Sequence, residues 1–336
     1  MFRTFSVILS SLVLLASGCR VPRIGKAAPF SVRNQHPVEL TVLQQVARSP
    51  IAYTEGPSIL AIDTDWTSHW VQPRAGADDL RLDGETARAE LRAGWGLGKS
   101  WDLEVELPLM YASGGTLDGF IDAFHQFFGL PQNGRNRHPR DDFDIQAIRN
   151  QPGLGMQTVY ELQDDELGVG DIPIHLGWFP IQDSSGFSMG FRASTELPTG
   201  DQSKGFGNGE MDWALGVSTQ WDGSWLSLFG WGSYTWSGTP DRAKQAGFSY
   251  ANRSLVGLGT ELFLFDGLSG LVQVEYQDSV LRHLDDPNAH GNQLPIYFGF
   301  RWRMGEGKAI DLGLGEDLLP NVSPDVVFHL ALRFDL

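Results

Sequence analysis

A single cysteine in 336 residues excludes an intrachain disulfide and any thiolate-rich metal site. The eight histidines show none of the H-x-x-x-H or H-x-x-E-H spacings that bring two imidazoles onto one metal, so no metal and no cofactor are expected. Positive charge is scarce, with 25 Lys and Arg against 41 Asp and Glu and a net charge of −16. Such a balance repels phosphate backbones, and no basic patch interleaved with aromatics offsets it, so nucleic acid is not an expected partner. Beyond residue 18 there is no apolar run long enough for a membrane-spanning helix, because charges at alternate positions break every longer stretch.

Those interruptions are themselves a pattern. From Asp325 to Leu336, Val326, Phe328, Leu330, Leu332, Phe334 and Leu336 alternate with Val327, His329, Ala331, Arg333 and Asp335. Successive side chains of a strand point to opposite faces, so one face is apolar and the other mostly polar. The same alternation puts Leu60, Ile62, Thr64 and Trp66 opposite Asp63 and Asp65. It sets Ala87, Ala89, Leu91 and Ala93 opposite Arg88, Glu90 and Arg92, and Trp101, Leu103, Val105 and Leu107 opposite Asp102, Glu104 and Glu106. Charges at that density cannot face lipid, where an Arg or Lys costs about 2–4 kcal/mol near the midplane. Apolar faces outward and charged faces inward describe a transmembrane β-barrel.

Residues 1–18 read as a secretory signal: Arg3 is the only charge, an apolar run follows from Val7 to Ala16, and small residues precede the cut. Leu15-Ala16-Ser17-Gly18-Cys19 resembles the lipobox of bacterial lipoproteins, which makes Cys19 the expected lipid attachment site. Without residues 1–18 the chain keeps 24 basic against 41 acidic residues, a net charge of about −17. Residues 19–57, weakly patterned and containing proline, read as a tether or short plug ahead of a barrel over 58–336.

Counting alternating segments, including Met156, Thr158, Tyr160 and Leu162, gives thirteen. Bacterial single-chain barrels have even counts, and their short turns lie on the periplasmic side. Short connections near Gly98, Asp183, Asp222, Asp266 and Gly305 alternate with long ones once a further strand is placed over 142–149, with Pro152-Gly153 as its turn. The expected fold is therefore all-β, a transmembrane antiparallel barrel of about fourteen strands, with twelve as the alternative. That solution leaves 112–141 as a long external loop with one amphipathic helix over 116–128, its apolar face carrying Leu117, Phe120, Ile121, Phe124, Phe127 and Phe128. The helix either packs on the barrel rim or folds into the mouth; Asp118, Phe120, Asp122, Phe124 and His125 are its candidate gate residues.

Gly114-Gly115-Thr116-Leu117-Asp118-Gly119-Phe120-Ile121-Asp122, with Phe124-His125, Phe128-Gly129-Leu130-Pro131 and Gly134-Arg135, resembles the hallmark of a bacterial family catalogued as domain of unknown function 3187. Asn34-Gln35-His36-Pro37, Asp83-Gly84-Glu85, Gly168-Val169-Gly170-Asp171 and Leu197-Pro198-Thr199-Gly200-Asp201 stand in the order that resemblance implies. It implies an exported, barrel-like protein and brings no catalytic residue with it.

Candidate chemistry is thin. Gly186-Phe187-Ser188-Met189-Gly190 matches the G-x-S-x-G of serine hydrolases, but it lies in a strand alternation with no helix after it, so Ser188 reads as an inward strand residue. His175 and His329 have inward parity, and Asp122 with His125 reads as a solvated helix face; no enzyme is expected. The expected lumen-lining groups are Asp63, Asp65, Arg88, Glu90, Arg92, Asp102, Glu104, Glu106, Arg192, Glu196, Glu261, Glu275, Arg301 and Arg303. If they leave a water path, the acidic excess favours cations or polar solutes. The expectation is a bacterial outer-membrane pore for a small polar solute, with a periplasmic, lipid-anchored N-terminus. Its expected partners are membrane lipid and, at the C-terminal strand, the barrel-assembly machinery. A closed structural or surface-binding barrel and a lipid-modifying enzyme are the rival readings.

Overall fold

The computed structural model describes residues 26–53, 55–71, 76–128, 139–182, 186–305, 307–319, 324 and 326–336; Cys19 and the signal lie outside them. In chain order the strands are β1 (Gly56–Trp70), β2 (Asp79–Gly96), β3 (Trp101–Ser113), β4 (Asp144–Gln151), β5 (Gly155–Glu161), β6 (Glu166–Val169), β7 (Ile172–Gln182) and β8 (Phe187–Leu197). They continue with β9 (Asp212–Asp222), β10 (Leu226–Trp236), β11 (Arg253–Phe265), β12 (Leu268–Gln277), β13 (Pro295–Arg303), β14 (Lys308–Asp317) and β15 (Val326–Asp335). Helix α1 spans Asp118–Phe128 and α2 spans Asp241–Gln245.

Twelve of these strands form a closed antiparallel barrel. Neighbours pair in the order β1, β2, β3, β7 and then β8 through β15, and β15 pairs with β1 from Ile59↔Asp335 to Ser68↔Val326 to seal the wall. One end carries both wall termini and tight turns such as Asp266-Gly267; the other carries the long connections.

The expected fourteen strands are corrected to twelve in the wall plus three outside it. The segment at 156–162 is β5, which pairs with β4 as a hairpin, and β4 pairs only with the far extension of β2, Asp79–Asp83. Neither the alternating segment at 156–162 nor the one at 142–149 belongs to the wall. Alternation reports that a strand is buried on one face and says nothing about what buries it. Ile145, Ala147, Val159, Tyr160 and Leu162 pack into an apolar cluster at the long-loop end, while wall strands turn the same kind of face outward.

On the wall the predicted parity is realised. Leu60, Ile62, Leu91, Leu107, Leu176, Leu258 and Leu312 are exposed outward, and aromatics gather at both ends of this aliphatic belt. Trp101, Trp178, Trp221, Phe265 and Trp302 lie towards the short turns, and Trp66, Tyr111, Trp213, Trp236 and Tyr276 towards the long loops. From Trp213 to Trp221 the strand climbs about 26 Å at ~3.3 Å per residue, or roughly 20 Å when tilted by 35–45°, comparable to the apolar band of an outer-membrane barrel.

Candidate functional site

The interior is filled by the chain's own N-terminal segment. Residues 26–53 run as an irregular hairpin from the short-turn end to the long-loop end and back, with one 3-10 turn at Glu39–Thr41 near its apex. Extended backbone without a sheet partner must find acceptors elsewhere. The wall supplies them: the Ala28 N–H donates to Glu261 Oε2 (3.2 Å), that of Phe30 to Gln273 Oε1 (2.9 Å), and that of Leu43 to Asp212 Oδ2 (2.8 Å). Gln45 Nε2 donates to Ser194 Oγ (2.7 Å) and Ser49 Oγ to Gln220 Oε1 (2.7 Å). Gly216 admits this limb, since a Cβ there would fall 1.9 Å from Gln45 Oε1.

The apex is held largely by carbon, with one buried ion pair beside it. Val38, Leu40 and Val42 are buried among Leu80, Leu82, Met110, Phe206, Phe248 and Leu281 in the cluster that also covers the β4–β5 hairpin. Glu39 pairs with Arg253 and accepts from the Val280 N–H (3.0 Å), and the Tyr160 hydroxyl donates to the Pro37 carbonyl (3.2 Å). Burial pushes His36, beside this apex, down to a pKa of about 4.

Lower in the lumen the contacts are ionic, centred on the Asp102–Glu104–Glu106 ladder of β3. Glu104 meets Arg48 Nε at 3.1 Å, Arg92 Nη1 at 3.4 Å and Arg192 Nη1 at 3.5 Å, and accepts from the Tyr53 hydroxyl. Glu106 meets Arg48 Nη2 at 2.8 Å, Arg33 Nη2 at 3.2 Å and His175 Nε2 at 3.3 Å. Asp102 lies 3.5 Å from Arg192. Ligand atoms of Glu104, Glu106 and His175 fall within 4.8 Å of one another, a spacing that a metal could bridge. Arg33, Arg48, Arg92 and Arg192 already take those oxygens, so a dication would sit among four guanidinium groups. A cavity of about 30 Å³ adjoins the cluster, room for about one water.

All fourteen lumen candidates point inward. Arg92 also reaches Asp63 (3.3 Å), Arg88 pairs with Glu90, Arg33 lies 3.8 Å from Glu196, and Asp65 holds His329 Nδ1 (2.7 Å). Arg301 bonds Asp311 through two nitrogens (2.7 and 2.6 Å) and, together with Arg303, meets Glu261, while Glu275 is fully buried on the same face. The acidic ladder is thus matched by arginine. Two of those arginines, Arg33 and Arg48, and Tyr53 with them, come from the weakly patterned lead and were missed in the sequence. Sparse cations ahead of a barrel with three carboxylates on one strand face were the available signal.

Gate candidates fall elsewhere. Glu85, at the outward parity of β2, accepts from the N–H groups of Thr116 (2.8 Å) and Leu117 and from Trp66 Nε1 (2.8 Å), and so caps the entry to α1. Phe120 packs against Phe328 on the outer wall (5.9 Å between rings). Asp118 accepts from the Asp141 N–H (2.9 Å) and Asp122 pairs with Arg140 (2.9 Å); the side chains of Phe124 and His125 lie outside the described residues. These contacts seat the start of α1 on the outer surface at the long-loop end. Ser188 is buried inward on β8, opposite Gln220.

The sequence motifs also meet in space: Asp171 accepts from the N–H groups of Gly200 (2.7 Å) and Asn208 (3.1 Å), joining Gly168–Asp171 to Leu197–Asp201. A family model described as protein of unknown function, DUF3187, matches residues 4–336. The chain belongs to this family. No curated protein matches this DUF3187 sequence. Among solved structures it is similar to an outer membrane channel from Pseudomonas putida F1, at 12% identity and a TM-score of 0.56, covering 86% of this chain and 98% of that one. It is similar also to the NanC porin, at 9% identity and a TM-score of 0.49, covering 82% and 100%. At 12% identity the likeness to the Pseudomonas putida channel is one of fold, and the fold that DUF3187 adopts here is the outer-membrane type of barrel.

Proposed function

We propose that this protein is an outer-membrane channel for a small polar solute, closed at rest by its N-terminal hairpin. The short-turn end and the hairpin's entry then face the periplasm, as short turns do in bacterial barrels. The observation that carries the reading is the chemistry of the lower lumen: plug and wall meet there through hydrogen bonds and ion pairs that water or a polar solute can replace. A purely structural barrel would gain as much from carbon at the same positions, because buried ion pairs add little net stability. In this reading the protein performs no covalent chemistry. Cys19 carries lipid, α1 shapes the outer rim, and the C-terminal strand is the segment engaged during assembly.

The test is single-channel recording in planar bilayers. The full chain is expected to conduct rarely, and a variant lacking residues 27–47 to conduct in steady steps. Cross-linking the plug to the wall with a bifunctional maleimide through Ser49→Cys and Gln220→Cys is expected to abolish current. Silence of the plug-deleted barrel, with folding established by its heat-shifted electrophoretic mobility, would remove the channel. It would favour the closed barrel, for which the apolar seat of the apex speaks.

A further inference from the structure

The short-turn end holds a second, larger hollow that the ionic cluster does not fill. It encloses about 260 Å³ between the two limbs of the plug and the β15–β1 seam, and Lys26, Arg48, Arg92, Arg333 and Asp335 bring charge to it. A smaller hollow of about 30 Å³ adjoins it and shares Lys26, Arg333 and Asp335. The hollow exists because small residues surround it: Arg333 stands opposite Ala61 on β1 and Ala309 on β14, and the plug presents Ala28, Ser31 and Ser49.

Its cations are not equivalent. Arg48 is committed to Glu104 and Glu106, and Arg92 to Asp63 and Glu104. Next door, Arg301 and Arg303 are committed to Asp311 and Glu261. Arg333 alone of these guanidinium groups has no hydrogen bond and no ion pair within 4.0 Å among the described residues, although it sits at inward parity and only part-exposed. Lys26, at the entry of the plug, likewise brings an ammonium without an ion pair to the same space. The acidic side chain lining this hollow, Asp335, lies at the exposed rim. A polar group held inside a protein is almost always partnered, and a planar guanidinium matches two oxygens of a carboxylate or phosphate at once.

We infer that this hollow is a binding site for a small oxyanion, a carboxylate or phosphate, held by the free fork of Arg333 with Lys26 closing the open side. The ligand enters from the short-turn end and lies against both limbs of the plug, so binding couples to the plug's position. The site needs no open pore. A closed barrel that binds would leave this inference standing and remove the channel, and a conducting barrel that does not bind would do the reverse.

The experiment is isothermal titration of the full folded protein in detergent with sodium phosphate, sodium gluconate and sodium chloride. Saturable heat is expected with phosphate or gluconate and none with chloride; the responding arm distinguishes an inorganic from an organic ligand. Arg333→Gln is expected to weaken binding about tenfold or more, with Arg333→Lys intermediate because it keeps the charge and loses the fork. Lys26→Gln, at an exposed position where folding is not at stake, is expected to weaken it by a smaller factor. Absence of binding by the natural protein, equal heat with chloride, or unchanged affinity in both Arg333→Gln and Lys26→Gln would overturn the site.

Discussion

The two ends of the lumen hold the same plug by different chemistry. At the long-loop end Val38, Leu40 and Val42 are sunk into an apolar cluster built from loops, α2 and the β4–β5 hairpin. At the short-turn end Arg33, Arg48 and Tyr53 meet the β3 carboxylates, and the space beyond them is hollow. Carbon contacts offer a competing polar solute nothing to replace, whereas ion pairs and hydrogen bonds do. The plug is therefore seated in carbon at one end and in polar groups at the other, which under the proposed function suits partial withdrawal better than ejection.

The strongest way to break that contrast is to remove the fixed end. Val38→Ala with Leu40→Ala deletes buried carbon, at about 2–5 kcal/mol for the leucine alone. Hydrogen exchange across residues 36–44 is expected to rise towards that of free peptide while the wall stays protected. Arg48→Ala attacks the other end: it strips Glu104 and Glu106 of a partner inside the lumen, at about 3–5 kcal/mol. Proteolysis from the short-turn side should then cut within residues 45–53 while the apex remains intact. Equal release of both limbs by either variant would mean the two ends are not independent.

Acid should act on the apex through His36. His36 titrates near 6.5 when unfolded and near 4 when buried, so the stability tied to its neutral form is complete above pH 6.5 and is lost as pH falls towards 4, by up to about 3 kcal/mol. Exchange at residues 36–44 is expected to accelerate over that window, and His36→Gln to flatten the response. Gly216→Ala sharpens the comparison more gently, because the atom it meets is the far end of the flexible Gln45 side chain. A cost of about 1 kcal/mol and a small rise in plug exchange below Gln45 are expected. Smallest is Glu85→Gln, which keeps an oxygen for the N–H groups of Thr116 and Leu117 but loses the charge. Protease nicking near 116–128 should rise about twofold to fivefold, as for a weakened cap of about 0.5–1 kcal/mol, with the plug untouched.

Much of the wall was legible because a lipid-facing strand has only one arrangement that works: Leu91 outward with Arg88, Glu90 and Arg92 inward can be read from parity alone. The same rule misled at Met156–Leu162, where Tyr160 and Leu162 bury themselves under loops instead of lipid. The plug was half legible. Residues 19–57 read as a tether or plug, but an irregular backbone has no period, so nothing in the local sequence says that Arg48 meets a β3 carboxylate 56 residues on. The hollow around Arg333 was invisible, since it arises from small residues brought together from β1, β14 and the plug.

Tyr53 lies three positions before Gly56, where the wall begins, so any withdrawn lower limb stays leashed to the opening it left. Held at an effective concentration on the order of millimolar, such a stopper returns by a first-order step whose speed does not depend on how much protein is present. Reclosure is thereby written into the covalent path of the backbone.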